Sequence, residues 1–229
     1  MWSGPRNLST AMMYSFGARG DFAVWDEPFY APYLAATGAE HPLRDEIIKA
    51  HEADPERVER TCLGSIPGGK PNFYMKHMPH HMLPDFPMDW AVQCVNIHLI
   101  RHPARVIASY AAKRDDVSID DIGFLQQTAV YERFPGPVID TADIRDDPRR
   151  VLSRLCSEIG LPWDEAMLSW KAGGRPEDGV WASHWYGVIH QSTGFAGPEG
   201  PLPEVAAAQR PLLDAALPHY DAMWRARLT

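Results

Sequence analysis

Cysteine is scarce: the 229 residues contain three, Cys62, Cys94 and Cys156. They match no metal-ligand spacing and cannot all pair internally, which excludes a disulfide-stapled scaffold and points to a reducing compartment such as the cytoplasm. Long apolar runs are missing too. No stretch approaches the roughly 20 residues of a membrane span, and no basic segment followed by an apolar one opens the chain, so neither membrane insertion nor secretion is expected. Positive charge is in deficit, 22 Lys and Arg against 30 Asp and Glu, for a formal net charge of −8. Such a surface repels DNA, RNA and acidic membranes, which excludes nucleic acid and membrane as partners. An anionic small molecule would have to be held locally, by backbone amides and a few arginines. Internal repeats and low-complexity tracts are absent.

What is present is the composition of an ordinary folded domain, 45% apolar with 10% aromatic residues. A chain of this length buries roughly 70% of its unfolded surface and needs no metal to hold together, so one domain over residues 1–229 is expected. The sequence leaves the oligomeric state open. Short β-rich runs alternate with helical stretches, the pattern of βα units and a mainly parallel sheet in an α/β fold. The strands are expected at Phe22 to Trp25, Asn72 to His77, Val92 to Ile100 and Pro137 to Asp140. Helices are expected at Leu8 to Gly17, Leu43 to Glu52, Pro55 to Cys62 behind Asp54, Pro103 to Arg114, Ile119 to Phe134, and Pro148 to Ile159 behind Asp147. The apolar run Val92 to Ile100 suits the buried centre of a parallel sheet, and it ends at Arg101. Ligands of open parallel sheets bind beyond the carboxyl ends of strands, which makes Arg101 a site candidate. Residues 171 to 203 are rich in glycine and lack periodicity, as in a lid or substrate wall. Residues 204 to 229 form C-terminal helices.

The chemistry begins at Ser3-Gly4-Pro5-Arg6-Asn7-Leu8-Ser9-Thr10, a turn running into a helix. The unpaired amides of a helix start, with the hydroxyls of Ser9 and Thr10, can cradle a phosphate. The turn departs from the Walker A pattern, whose Gly-Lys pair gives way to Ser9 and Thr10, leaving Arg6 as the cation inside it. No long apolar strand ends in an Asp that could hold magnesium, so no metal is expected. Two residues precede the turn, so the strand that should feed it is reduced to Met1-Trp2 or absent. Further on, Arg101-His102-Pro103-Ala104-Arg105-Val106-Ile107-Ala108-Ser109 sets a strand-end arginine eight residues before a helical serine. Arg101 can grip an anion bidentately while Ser109 donates one more hydrogen bond.

These two motifs in this order resemble the sulfotransferase family, more narrowly a bacterial branch of sulfotransferase-like proteins that shares the Ser-Gly-Pro-Arg-Asn-Leu-Ser-Thr opening and Asp26-Glu27-Pro28-Phe29-Tyr30. The resemblance implies a three-layer P-loop-like fold, its central sheet having about five strands flanked by helices. It also implies transfer of a sulfuryl group from 3′-phosphoadenosine 5′-phosphosulfate (PAPS) to a hydroxyl or amine of a small-molecule acceptor, leaving 3′,5′-adenosine bisphosphate. Arg6, Asn7, Leu8, Ser9 and Thr10 would hold the 5′-phosphosulfate, and Arg101 with Ser109 the 3′-phosphate. The family often ends a central strand in Lys-Thr-His-x-Pro, where His takes the acceptor's proton. Here Met75-Lys76-His77-Met78-Pro79 aligns His77 and Pro79 but puts Met75 at the lysine position. Strand neighbours face opposite ways, so Lys76 and His77 share a site only if the strand ends between them. His77 is the expected base, with Lys76 as its electrostatic partner. Glu27, at the end of the Phe22 strand, competes for the same role.

His77, His80 and His81 invite a metal reading, but no further ligand follows until Asp85 and Pro79 starts a new helix, so surface or substrate-contacting histidines are preferred. The family's late Arg-Lys-Gly clamp is missing; His190 to Phe195 offer hydroxyls instead, and Lys113 or Arg114 could assist at the 3′-phosphate. Trp181, Trp185 and Phe195 could stack on adenine or wall the acceptor. Two alternatives are a non-catalytic nucleotide- or anion-binding protein and a magnesium-dependent small-molecule kinase.

Overall fold

Five strands carry the fold in a computed structural model that describes residues 1–111 and 117–229. They are β1 (Trp2–Ser3), β2 (Phe22–Asp26), β3 (Asn72–Lys76), β4 (His98–Ile100) and β5 (Val138–Asp140). Every pairing between them is parallel. The protein is thus an α/β fold of parallel sheet flanked by helices, its strands hydrogen-bonded as a set of three, β1-β4-β5, and a pair, β2-β3. The chain divides into two compact units, one of Met1–Ser9, Val95–Asp164 and Phe195–Thr229, the other of Thr10–Cys94 and Glu165–Gly194.

In the first unit, β4 is central, with Ser3 opposite Leu99 and Leu99 opposite Ile139. Ile100, Ile107, Val138, Ala216 and Met223 are buried together beneath helices Pro103–Ala111, Phe124–Arg133 and Arg210–Arg225. That last helix follows a short 3-10 turn, and together they make the C-terminal helical segment. In the second unit β2 and β3 run in register from Phe22–Asn72 to Asp26–Lys76. Phe16, on the helix Ser9–Ala18, stacks on Tyr74 at 4.7 Å. Tyr30, Leu34, Ile47 and Trp181 form a second cluster there.

Capping is where sequence and backbone agree most closely. Asp54 accepts from the Glu56 amide at 2.9 Å and Asp147 from Arg150 at 3.0 Å, opening the helices Pro55–Cys62 and Pro148–Glu158. The largest departure is Val92 to Ile100. Asp89–Gln93 is a 3-10 turn, Val92 is 73% and Val95 60% exposed, and only His98–Ile100 is strand. Trp90 and Ala91, just before the run, anchor the turn in the interior while the two valines, three apart, face solvent. The expected helix from Ile119 to Phe134 breaks at Gly123, whose φ of 69° ends Ile119–Ile122 before Phe124–Arg133 begins. Helices Tyr30–Thr37 and Thr141–Asp146 were not anticipated. Within 171–203, Ala182–Trp185 and Gly187–His190 form single helical turns. Lys113 and Arg114 lie outside the described residues, and among the described residues no helix is long and apolar enough to cross a membrane.

Candidate functional site

The first unit gathers the phosphate-binding candidates around the end of β4. Gln127 fastens the turn after β1: its Oε1 accepts from the Gly4 amide at 3.0 Å and its Nε2 donates to the Leu99 carbonyl at 2.8 Å. Asn7 Nδ2 donates to that carbonyl at 3.1 Å, so the turn is pinned to β4 from two directions. Arg6 has a φ of 60°, a left-handed conformation uncommon for a residue with a Cβ. Its Nε donates to Ser109 Oγ at 2.9 Å, and Arg101 Nη1 donates to the Arg6 carbonyl. The structure therefore brings together Arg6, Arg101 and Ser109, residues from two separate stretches of chain. Burial pulls the Arg6 guanidinium below its ordinary range, and Arg101 beside it acts in the same direction. Ser9, buried, opens the following helix. Three residues that sequence reasoning assigned no role join this group: Arg105, Arg145 and Glu199, whose carboxylate pairs with Arg101, Arg105 and Arg145.

The second unit holds the acid–base candidates. β2 and β3 end level with each other, Asp26 opposite Lys76, and the chain turns sharply at Glu27 with φ 42°. Lys76 is fully buried, its Nζ 2.7 Å from Asp26 Oδ1, 2.9 Å from Glu27 Oε1, 2.6 Å from the Tyr186 hydroxyl and 3.2 Å from Thr10 Oγ1. Tyr186 donates to Asp26 Oδ2 at 2.7 Å and accepts from Trp181 Nε1 at 3.1 Å. Two buried carboxylates raise the Lys76 pKa well above its ordinary value, outweighing desolvation, so the ammonium stays charged. Burial raises the Glu27 pKa above 4.5 while Lys76 opposes it. Because Thr10 Oγ1 accepts from Lys76, its own hydroxyl hydrogen is left to point elsewhere.

β3 ends at Lys76, the condition under which Lys76 and His77 can depart from strand alternation. The His77 ring nevertheless packs against Trp90 at 4.9 Å and Phe29 at 5.9 Å, while Lys76 and Glu27 meet directly. Burial holds His77 and His81 well below the ordinary imidazole pKa. His81 stacks on Tyr30 at 4.5 Å, with Nδ1 3.8 Å from Glu27 Oε2. Among the described residues, no group of three His, Cys, Asp or Glu side chains is arranged to hold a metal ion. Trp181 is 1% exposed and packs edge-on against Tyr30 at 5.2 Å, so it is a core residue and not a stacking platform. Ser192 is also occupied, donating to the Ile189 carbonyl at 2.8 Å and accepting from Trp170. Asp26 was legible as the neighbour of Glu27 at a strand end; Tyr186 carries no local signal, because its position comes from tertiary packing.

A family model described as a sulfotransferase domain matches residues 1–227. Two Arabidopsis thaliana proteins are similar to 97% of the chain: branched-chain-amino-acid aminotransferase-like protein 1, 37% identical over 228 residues, and branched-chain-amino-acid aminotransferase-like protein 2, 34% identical over 227 residues. The chain spans 40% of the length of each of these relatives. Among solved structures, the sulfotransferase domain from the curacin biosynthetic pathway aligns with a TM-score of 0.53 over 93% of this chain and 95% of its own, at 14% identity, a likeness of fold.

Proposed function

Because the chain belongs to the sulfotransferase domain family, we propose that it transfers a sulfuryl group from PAPS to a hydroxyl or amine of a small molecule, releasing 3′,5′-adenosine bisphosphate. The reading rests above all on one observation, the joining of the phosphate turn to the end of β4 through Arg101 on the Arg6 carbonyl and Arg6 on Ser109. The cationic group also fits an anion, since Arg101 Nε is a buried donor with no acceptor among the described residues.

The donor supplies a sulfuryl group already attached to a phosphate leaving group. Arg6, the amides of Asn7 and Leu8, and the hydroxyls of Ser9 and Thr10 would meet the charge that grows on the leaving phosphate oxygen. Arg101 and Ser109 would hold the 3′-phosphate. A bond forms between the acceptor oxygen or nitrogen and sulfur as the sulfur–phosphate oxygen bond breaks, and the acceptor's proton goes to a base. Glu27 is favoured over His77 for that base, because its carboxylate is held on Lys76 and its pKa is displaced toward neutrality, whereas burial makes His77 a weaker base. Lys76 fixes Glu27 and orients Thr10.

Calorimetry with 3′,5′-adenosine bisphosphate, ATP and inorganic phosphate tests the assignment. The bisphosphate is expected to bind tightest, and Arg101→Ala to weaken it by about 30-fold or more, as truncating one member of a charged hydrogen-bonded pair does. Unchanged affinity in that variant would overturn the site. ATP preferred in the presence of magnesium would make the protein a kinase, and binding without turnover across an acceptor panel would make it an anion-binding module.

A further inference from the structure

Glu199 is the most deeply buried member of its ionic group. Its side chain is 2% exposed, while those of Arg101, Arg105 and Arg145 are 19%, 12% and 22% exposed. Arg105 Nε lies 3.0 Å from Glu199 Oε2, and Arg145 Nη1 lies 3.2 Å from Oε1, the oxygen that Arg101 Nη2 also reaches. The three guanidiniums come from three places: the residue after β4, the helix Pro103–Ala111 and the helix Thr141–Asp146. Among the described residues, Glu199 is the only carboxylate paired with any of them, so its single negative charge leaves the group strongly cationic. Arg101 Nε, buried and lacking an acceptor, is a donor that this carboxylate does not satisfy. A phosphate monoester, with three acceptor oxygens and nearly two negative charges, matches the group better than a carboxylate does.

The segment carrying Glu199 is suited to exchange. Residues 195–206 form no helix or strand, and Glu199 stands between Gly197 and Gly200, the latter at φ 70°. The arginines also hold its backbone: Arg145 Nε donates to the Gly197 carbonyl at 2.7 Å, and Arg105 donates to the carbonyls of Glu199 and Gly200. These backbone contacts hold the strap independently of the Glu199 carboxylate.

We propose that Arg101, Arg105 and Arg145 form a three-guanidinium clamp for the donor's 3′-phosphate, taking the part of the absent Arg-Lys-Gly segment, and that Glu199 is the internal anion which the phosphate displaces. This rests on the donor reading above. Calorimetry with 3′,5′-adenosine bisphosphate and with adenosine 5′-monophosphate, which lacks the 3′-phosphate, separates the two. Glu199→Gln removes the competing charge and should tighten the bisphosphate about fivefold or more without changing the monophosphate. Arg145→Gln leaves Glu199 on its two other arginines, so it should fold even where Glu199→Gln does not; it should weaken the bisphosphate about tenfold and spare the monophosphate. Glu199→Gln binding the bisphosphate equally or more weakly would make Glu199 a structural holder of the arginines and overturn its role as a displaced anion. Arg145→Gln binding it as tightly as the parent would overturn the clamp. Either result, beside a tight parent weakened by Arg101→Ala, defeats only this inference. A parent with no affinity for the bisphosphate defeats the donor reading along with it.

Discussion

Lys76 shows how one buried side chain can govern several others. Its ammonium neutralises Asp26 and Glu27, which are 2% and 8% exposed and would otherwise be ionised groups in a low-dielectric interior. Lys76→Met keeps much of the volume but leaves both carboxylates without their cation, and should cost about 3–5 kcal/mol in urea unfolding. A cost below about 1 kcal/mol would mean that the cluster is already solvated. The same contacts separate the two base candidates. Glu27→Gln should lower kcat by about 100-fold or more and remove the acidic limb of its pH profile, which lies above the ordinary carboxylate range because burial raises the Glu27 pKa. His77→Asn should leave that limb in place. If the two results were exchanged, His77 would be the base. At this scale the sequence was informative about residue types. Arg6, Arg101 and Ser109 could be picked out because a turn before a helix and a strand-end arginine are local patterns. Glu199 and Tyr186 could not, since nothing near either residue in sequence shows which cation it meets.

Among the elements, β4 is where sequence and structure differ most, and the difference is physical. A parallel strand buried on both faces and a turn that buries Trp90 and Ala91 while exposing Val92 and Val95 can both be written as apolar runs, so Val92 to Ile100 could not be divided from composition alone. The short strand that remains carries a titration. His98 is fully buried, its Nε2 donating to the Phe134 carbonyl at 2.9 Å and its ring edge-on to Tyr131 at 5.1 Å. Burial lowers its pKa from 6.5 to about 4. Between those values the unfolded chain takes up a proton that the folded chain refuses, so the stability His98 supports is complete above pH 6.5 and drains away as the pH falls toward about 4. The loss amounts to about 3 kcal/mol at about 1.4 kcal/mol per pH unit. His77 and His81 are shifted in the same direction and add to the slope. Unfolding free energies measured from pH 7 to 4 should therefore fall less steeply in His98→Gln, which keeps a donor for Phe134. An unchanged slope would show that His98 charges within the fold.

For the molecule as a whole, the balance of charge and its placement point in opposite directions. A net charge of −8 repels an anionic nucleotide. At physiological ionic strength, however, charges on the surface are screened beyond about 8 Å, whereas partly buried guanidiniums in contact with a phosphate are screened much less. On the donor reading, short-range pairing would therefore decide the affinity, and Arg6 and Arg101 stand together at the turn after β1, with Arg105 and Arg145 joined to Arg101 through Glu199. The adjacent buried carboxylates Asp26 and Glu27 are already paired with Lys76. A divalent cation would have to compete with that ammonium for oxygens and gain little. Bisphosphate affinity and turnover should consequently be the same within about twofold in EDTA and in millimolar magnesium, a difference of less than about 0.5 kcal/mol. Loss of turnover in EDTA with recovery on adding magnesium would mean that a metal, and not the arginines, carries the leaving charge, and would favour phosphoryl transfer from ATP.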